Sequence, residues 1–374
     1  MPVKTIEPHK LKLSLTRGVL RGYSVRMRLE LPRTVSREVL EYLAGLPEIA
    51  AGDEVELDFG RVSVLTSFYM LALGAALRRE LVGKECRLSF TGFQRDAVEN
   101  YAGYMGMKHL LDEALPVEGL KEAGQDEGTH LPITRLSMKD LFKAAFEQRR
   151  FLEAGDLIEE QAQRLARVIT AHTPELAPLM GFLIREILRN IPEHGNADEM
   201  WICAQRWKSS FAELTILDEG IGIFNSLASN PKHREYITDN EQALQWAVKP
   251  GISQSFQPSY KPNKRSQWEN SGYGLYMVSG ICRELGGKFL LASYGNYISL
   301  RKDGTFERGA TDFHGTVLRI SIPTGRELDT QDLLRRLSEA GEREASTIRN
   351  AFKQASKPSR GLLTELGIDT PPQG

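Results

Sequence analysis

The chain has 374 residues, of which 41% are apolar and 26% charged, proportions that exclude a largely disordered, collagen-like or coiled-coil protein. Its 48 basic and 49 acidic residues give a net charge of -1, which argues against bulk electrostatic binding to nucleic acid. Cys86, Cys203 and Cys282 are too scattered for a disulfide framework or a CxxC metal site; with no apolar leader and no uncharged apolar run near about 18 residues, the expectation is a cytoplasmic protein, with no membrane span and no nucleic-acid partner.

Residues 1–111 read as a small α/β domain. Residues 10–16, 24–31 and 54–59 alternate as strands do. Residues 68–79 have helical apolar spacing and a cationic end, residues 87–90 read as a strand, and residues 96–104 as a short helix. Residues 112–136 mix Gly, Pro and acidic side chains and read as a linker. Residues 137–174 carry helical pattern up to Thr173-Pro174 and read as a helical connector. A long helix is expected over 175–190, then a hairpin of strands over 200–207 and 211–217. Residues 224–271 are rich in Asn, Ser, Pro, Gln and Lys. A structureless stretch of that length inside a domain reads as a lid or an insert. A helix over 274–285 stops at Gly286-Gly287, and strands follow over 289–293, 297–301 and 316–322. Residues 325–374 hold one charged amphipathic helix, about 329–354, and a Pro/Gly-containing tail.

Four short elements between residues 181 and 316 carry the chemistry. Glu186 and Asn190 stand at i and i+4 on the long helix and share a face. A carboxylate there can polarise a water, and an amide oxygen one turn on can ligate a hard cation such as Mg²⁺. Asp218-Glu-Gly220-Ile-Gly222 follows an apolar strand. Its carboxylate can accept from an exocyclic amine, and its glycines leave the backbone open. Gly272-Tyr-Gly274-Leu275 opens a helix whose unpaired N–H groups suit a phosphate. His314-Gly315-Thr316 leads into an alternating strand. Taken singly, each is equally an exposed helix face or a glycine turn. The histidines show no metal spacing, and the four tryptophans read as packing residues.

Taken together, in this order and spacing, these elements resemble the GHKL ATPases: gyrase-type topoisomerases, heat-shock 90 chaperones, histidine kinases, mismatch-repair ATPases and anti-sigma-factor kinases. EILRNIPEHG resembles the N box, DEGIG the first glycine box, SGYGLYMVSGICRELGG the second and HGT the third. The resemblance covers residues 175–324 and implies a Bergerat-type α/β sandwich with a lid over 224–271. It implies ATP and Mg²⁺ as ligands and Glu186 as the base. Asn190 would be the Mg²⁺ ligand, Asp218 the adenine-reading carboxylate with Gly220 and Gly222 beside it. Gly272, Gly274 and Leu275 fall at the phosphate-side hinge, and Thr316 supplies a hydroxyl near adenine. Lys249, Lys264, Arg265 and Gly251-Ile-Ser253 belong to the lid, and Pro192 departs from the N-box pattern. Residues 54–81 resemble the STAS fold of anti-sigma-factor antagonists. Asp58, Thr66 and Ser67 fill its loop, and Phe68 stands where that family has a small Gly. Ser67 or Thr66 would be a phosphoacceptor; alternatively, Ser67 only caps the following helix.

A histidine kinase needs a helical hairpin before the N box, and His172 stands too close to Glu186 to allow one. A topoisomerase- or chaperone-like machine needs a transducer domain after residue 323. The resemblance is therefore closest in style to the anti-sigma-factor kinases. It implies hydrolysis of ATP or phosphorylation of Ser/Thr on a partner, which would be a separate STAS-like protein, with a homodimer common in the family. The alternative is a non-catalytic, ATP-dependent interaction switch.

Overall fold

Five parallel strands lie side by side in sequence order: β1 (Lys4–Ile6), β2 (Arg26–Glu30), β3 (Glu54–Asp58), β4 (Arg87–Thr91) and β5 (Val117–Glu118). Right-handed crossovers between strands laid down in order put every connecting helix on one face. That face receives α1 (Ser36–Leu43), α2 (Ser67–Leu81), α3 (Asp96–Tyr104) and α4 (Met107–Asp112), which pack on one another in turn. The strands are therefore two-sided. Met27, Leu29, Val55, Leu57, Leu88 and Phe90 are buried toward the helices. The opposite face pairs Arg26 with Glu56 and Arg28 with Asp58.

The structure is a computed structural model that describes residues 4–6, 26–33, 36–94, 96–112, 117–118, 130–148, 150, 152, 154–170, 176–191, 197, 199–208, 211–254, 272–324 and 329–355. The strand expected over 10–16 lies outside the described residues, as do Pro192, His194, His172, Lys264 and Arg265.

A second sheet has seven antiparallel strands in the order β11-β10-β9-β12-β8-β7-β6. These are β6 (His130–Ser137), β7 (Glu199–Trp207), β8 (Phe211–Asp218), β9 (Lys288–Ser293), β10 (Asn296–Leu300), β11 (Phe306–Ala310) and β12 (Thr316–Pro323). One face is covered by α6 (Ala154–Ile169), α7 (Ala177–Asn190), α9 (Asn240–Ala247) and α10 (Gly274–Glu284), with α5 (Met138–Glu147), α8 (Gly222–Ala228) and α11 (Thr330–Thr347) at the periphery. Among the described residues no helix is long and apolar enough to cross a membrane.

Several expectations are corrected. The linker over 112–136 contains β5 and β6, and β6 is an edge strand of the second sheet. The connector over 137–174 is part of the second core, since Met138, Ile158, Ala162 and Leu165 are buried in the same cluster as α7. The stretch 224–271 is not structureless, because α8 and α9 fold within it; residues 255–271 lie outside the described residues. The C-terminal helix ends at Thr347, and residues 348–355 turn back toward Gly251, whose carbonyl accepts from the Phe352 N–H at 2.8 Å.

The two sheets are joined through α2. Its side chains from Ser67 to Leu77 are all buried, as expected of a helix apolar on every side. One cluster runs from Leu57 and Phe90 through Phe68, Met70 and Leu73 to Trp201, Leu217 and Val317 on the second sheet. Thr66, not Ser67, caps α2: its side chain accepts from the Tyr69 N–H at 3.2 Å. Ser67 is fully buried and donates to Glu213 Oε1 at 2.7 Å. Glu213 also holds Arg319 Nη2 at 2.5 Å, with the two side chains 3% and 9% exposed. Breaking one half of such a pair leaves an uncompensated buried charge. Glu213→Ala is expected to lower stability by about 3–5 kcal/mol in urea unfolding. Arg319→Met added to it is expected to restore most of that loss; a double variant no more stable than Glu213→Ala would trace the loss to another cause.

Candidate functional site

Strand alternation decides what faces the cleft. On β8, Leu214, Ile216 and Asp218 point one way, and Glu213, Thr215 and Leu217 the other. On β12, Thr316 and Leu318 point to the cleft and Val317 to α2. Between the sheet and α7, α8 and α10 lies a mainly apolar cleft with an enclosed volume of about 100 Å³. Its walls include Asn190, Asp218, Gly222, Gly272, Gly274, Leu275 and Thr316. Seven of the nine residues singled out in the sequence therefore meet at one place.

The other two stand behind it. The Gly220 N–H donates to Asp218 Oδ1 at 2.9 Å, and the Gly220 carbonyl accepts from Tyr294 Oη at 2.9 Å; it shapes the loop and does not line the cleft. Glu186 is 8% exposed. A Cβ built on Gly274 would lie 3.1 Å from Glu186 Oε2 and 3.8 Å from Asn190 Nδ2. The helix-face pair thus meets the start of α10, where a Cβ would press on the carboxylate. Glu186 Oε1 accepts from Arg185 Nη2 at 2.9 Å and Nε at 3.2 Å.

Asp218 ends β8 in register with Thr316 on β12. Burial pushes its carboxyl up to about 7, helped by the nearby Glu219, while the Gly220 N–H and the Thr316 hydroxyl pull the other way. A buried carboxylate lining an apolar-walled cleft can accept an N–H, and carrying its charge into the fold is costly.

Gly272 sits at φ +70, where a Cβ would stand 2.5 Å from the Ile252 carbonyl carbon. The Gly251 N–H donates to the Gly272 carbonyl at 3.1 Å. Two glycines therefore join the described ends of the lid. Tyr273, before α10, gives no side-chain cap, so the first N–H groups of α10 are available at the cleft mouth. Lys249 lies outside the cleft, over the Trp246 ring at 5.5 Å.

Sequence reasoning missed four contributors. Ser226 donates to Gln254 Oε1 at 2.9 Å, and both line the cleft. Ser293 Oγ accepts from the Ile223 N–H at 3.1 Å and donates to the Gly315 carbonyl at 2.9 Å, tying the first glycine loop to the third. The Tyr294 ring covers Gly222, where a Cβ would lie 2.2 Å from Cδ2. The signal available was Tyr294-Gly295 between two alternating strands, a hairpin tip with Tyr294 at φ 36. His233 is also structural: its Nε2 reaches the Ser253 carbonyl at 2.8 Å and holds that wall in place.

No group of three or more His, Cys, Asp or Glu side chains among the described residues is arranged to hold a metal. A cation in the cleft would depend on the Asn190 oxygen and on oxygens of the ligand itself, the usual situation of Mg²⁺ on phosphates.

The Asp218 shift has a signed consequence. Its carboxyl binds a proton more tightly folded than unfolded, so the fold loses stability through this group as pH rises from about 4 through about 7. Asp218→Asn keeps an acceptor for the Gly220 N–H and abolishes the titration. The variant is expected to melt above the ligand-free wild type at pH 8, by the equivalent of roughly 2 kcal/mol or more, and to match it near pH 4. An equal difference at both pH values would contradict the assignment. Compared with known proteins, the chain matches no family model and no curated protein.

Proposed function

We propose that the chain is an ATP-binding regulatory protein of the GHKL type. It binds Mg-ATP in the cleft and either hydrolyses it or passes the γ-phosphoryl group to Ser/Thr of a protein partner. The observation that carries this reading is the convergence on one cleft of Asn190, Asp218, Gly222, Gly272, Gly274 and Thr316, residues that chain order leaves far apart.

Each wall suits one part of the nucleotide. Asp218 accepts from the exocyclic amine of adenine, and Ile216, Leu291 and Leu318 supply an apolar bed for the base. The first turn of α10 offers backbone N–H groups to the phosphates. The Asn190 oxygen would hold Mg²⁺, which when bound would supply neutralisation of the phosphate charge. Glu186 takes the proton from the attacking hydroxyl, of water or of a seryl or threonyl side chain. A P–O bond forms to that oxygen, the bond from γ-phosphorus to the bridging oxygen breaks, and ADP leaves with the bonding electron pair.

The STAS-like reading of residues 1–111 belongs to the same proposal and bears on the acceptor. Ser67 is buried against Glu213 on the face of the sheet away from the cleft, so in this arrangement it is out of reach of the γ-phosphate. The acceptor is accordingly a separate protein, and a STAS-like one fits best. Three unpaired, buried cysteines support a reducing, cytoplasmic setting.

A second reading, an ATP-dependent interaction switch without turnover, is favoured by the Arg185 contact. A carboxylate whose Oε1 is held by a guanidinium has one oxygen fewer to act as base.

Incubation with Mg²⁺ and γ-labelled ATP, beside Glu186→Ala, separates the two. The expected result is free phosphate or labelled partner from wild type, falling about 10²-fold or more in the variant, with ADP affinity retained. Equal ADP binding and no label transfer in either protein favours the switch. Wild-type ADP affinity is also expected to rise as pH passes upward through about 7, because the ionised Asp218 is the better acceptor. Asp218→Ala is expected to lose ADP binding, by isothermal calorimetry. Unaltered binding in that variant would remove Asp218 from adenine recognition.

A further inference from the structure

The cleft and the N-terminal helices lie on opposite faces of the seven-stranded sheet, and one loop touches both. Residues 311–315 lead from β11 into β12. Toward the N-terminal helices, Thr311 Oγ1 donates to the Leu40 carbonyl at 2.9 Å. Arg79 Nη1 donates to the Asp312 carbonyl at 3.2 Å, with its Nη2 3.5 Å from the Asp312 carboxylate. Phe313 is 2% exposed and packs in the N-terminal core. Toward the cleft, the Gly315 carbonyl accepts from Ser293 Oγ at 2.9 Å. Gly315 lies so close to the recognition strand that a Cβ would stand 2.1 Å from the Asp218 carbonyl oxygen. Thr316 follows, in register with Asp218 and in the cleft wall.

We infer that the N-terminal unit is a positioning element of the nucleotide site: through Thr311, Asp312 and Phe313 it fixes the backbone of Gly315 and Thr316, and so the wall around Asp218. The inference rests on the nucleotide-binding reading of the cleft. A loop ordered in advance removes its ordering cost from binding. By linkage, a ligand that holds Thr316 in place also strengthens the docking of the N-terminal unit, by the same factor. Thr311, Arg79 and Phe313 touch no ligand. They act through Gly315.

The test uses the full chain as wild type, Thr311→Val and Thr311→Ser. Valine keeps the shape and removes both the donor to Leu40 and the acceptor of the Phe313 N–H within the loop, and serine keeps both; Arg79→Ala, which leaves the loop's own bond intact, is measured beside them and is expected to speed exchange at the same amides. Hydrogen exchange is measured without nucleotide, and ADP binding by calorimetry. In Thr311→Val, amides of 220–223 and 315–316 are expected to exchange about fivefold faster or more, with those of α7 unchanged. ADP is expected to bind weaker by a similar factor. Thr311→Ser is expected to restore both. Exchange at the two loops unchanged in Thr311→Val overturns the inference, and so does a loss that serine fails to restore. Should wild type bind no ADP, the nucleotide reading fails while the exchange measurement still decides whether the loop is held from the N-terminal side. Arg79→Ala loosens the same loop from its second anchor and carries the decision if Thr311→Val does not fold.

Discussion

Helix α2 is apolar on every side, and a helix of that kind must be covered on every side. The parallel sheet satisfies one face of α2. The other is satisfied only if a second large apolar surface is brought to it, and that surface is the back of the seven-stranded sheet, with Trp201, Leu217 and Val317. The two halves of the chain therefore share a core and do not merely share a tether. Ordinary contacts between domains are more polar than this and permit relative motion. Within the apolar contact Ser67, Glu213 and Arg319 form a hydrogen-bonded set, and at its edge Tyr297 donates to Glu41 and Thr311 to the Leu40 carbonyl; such a set fixes orientation more than it adds stability.

The same constraint gives the second sheet its division of labour. Because both faces of the sheet are covered at its centre, β8, β9 and β12 alternate between two apolar environments, and a polar side chain on either face there needs a specific partner. Thr316, Leu318 and Ile320 of β12 face the helices of the cleft layer, while Val317 and Arg319 face α2. Asp218 is tolerated at its buried position because it lies at the strand end, where a loop N–H and a neighbouring hydroxyl can reach it. The candidate site is therefore confined to the rim of the sheet, where strands stop and glycines let loops and helix starts approach.

That confinement explains what the sequence discloses. Gly222, Gly272 and Gly315 are legible because positive φ and close approach leave no other residue type, and Asp218 is legible because a carboxylate ending an apolar strand has no packing role. The mixed α/β class follows from alternating patterns and holds in the structure. Strand β6 is not legible: Pro132 sits where its register with β7 shifts, between Leu131 and Thr134, and a proline at a bulge looks like a loop in one dimension. Helix α9 is obscured by its polar surroundings, although Asp239 caps it by accepting from the Gln242 N–H at 2.8 Å. The place of Ser67 could not be read, because its partner Glu213 lies far along the chain on β8, and the cap expected of Ser67 is carried by the adjacent Thr66.

The shared helix also sets the order in which the chain can mature on the ribosome. The parallel sheet can grow strand by strand, since its neighbours in space are its neighbours in sequence. The seven-stranded sheet cannot, because β12 inserts between β8 and β9, so its central pairing waits for Pro323 to emerge. From the synthesis of Leu81 until the β7–β8 hairpin is made, the outer side of α2 lacks the strands that contact it most. At roughly 5–20 residues per second that interval lasts on the order of seven to thirty seconds. The nascent chain thus presents an apolar helix face without its cover for a sizeable part of its synthesis, and the full cover waits for β12.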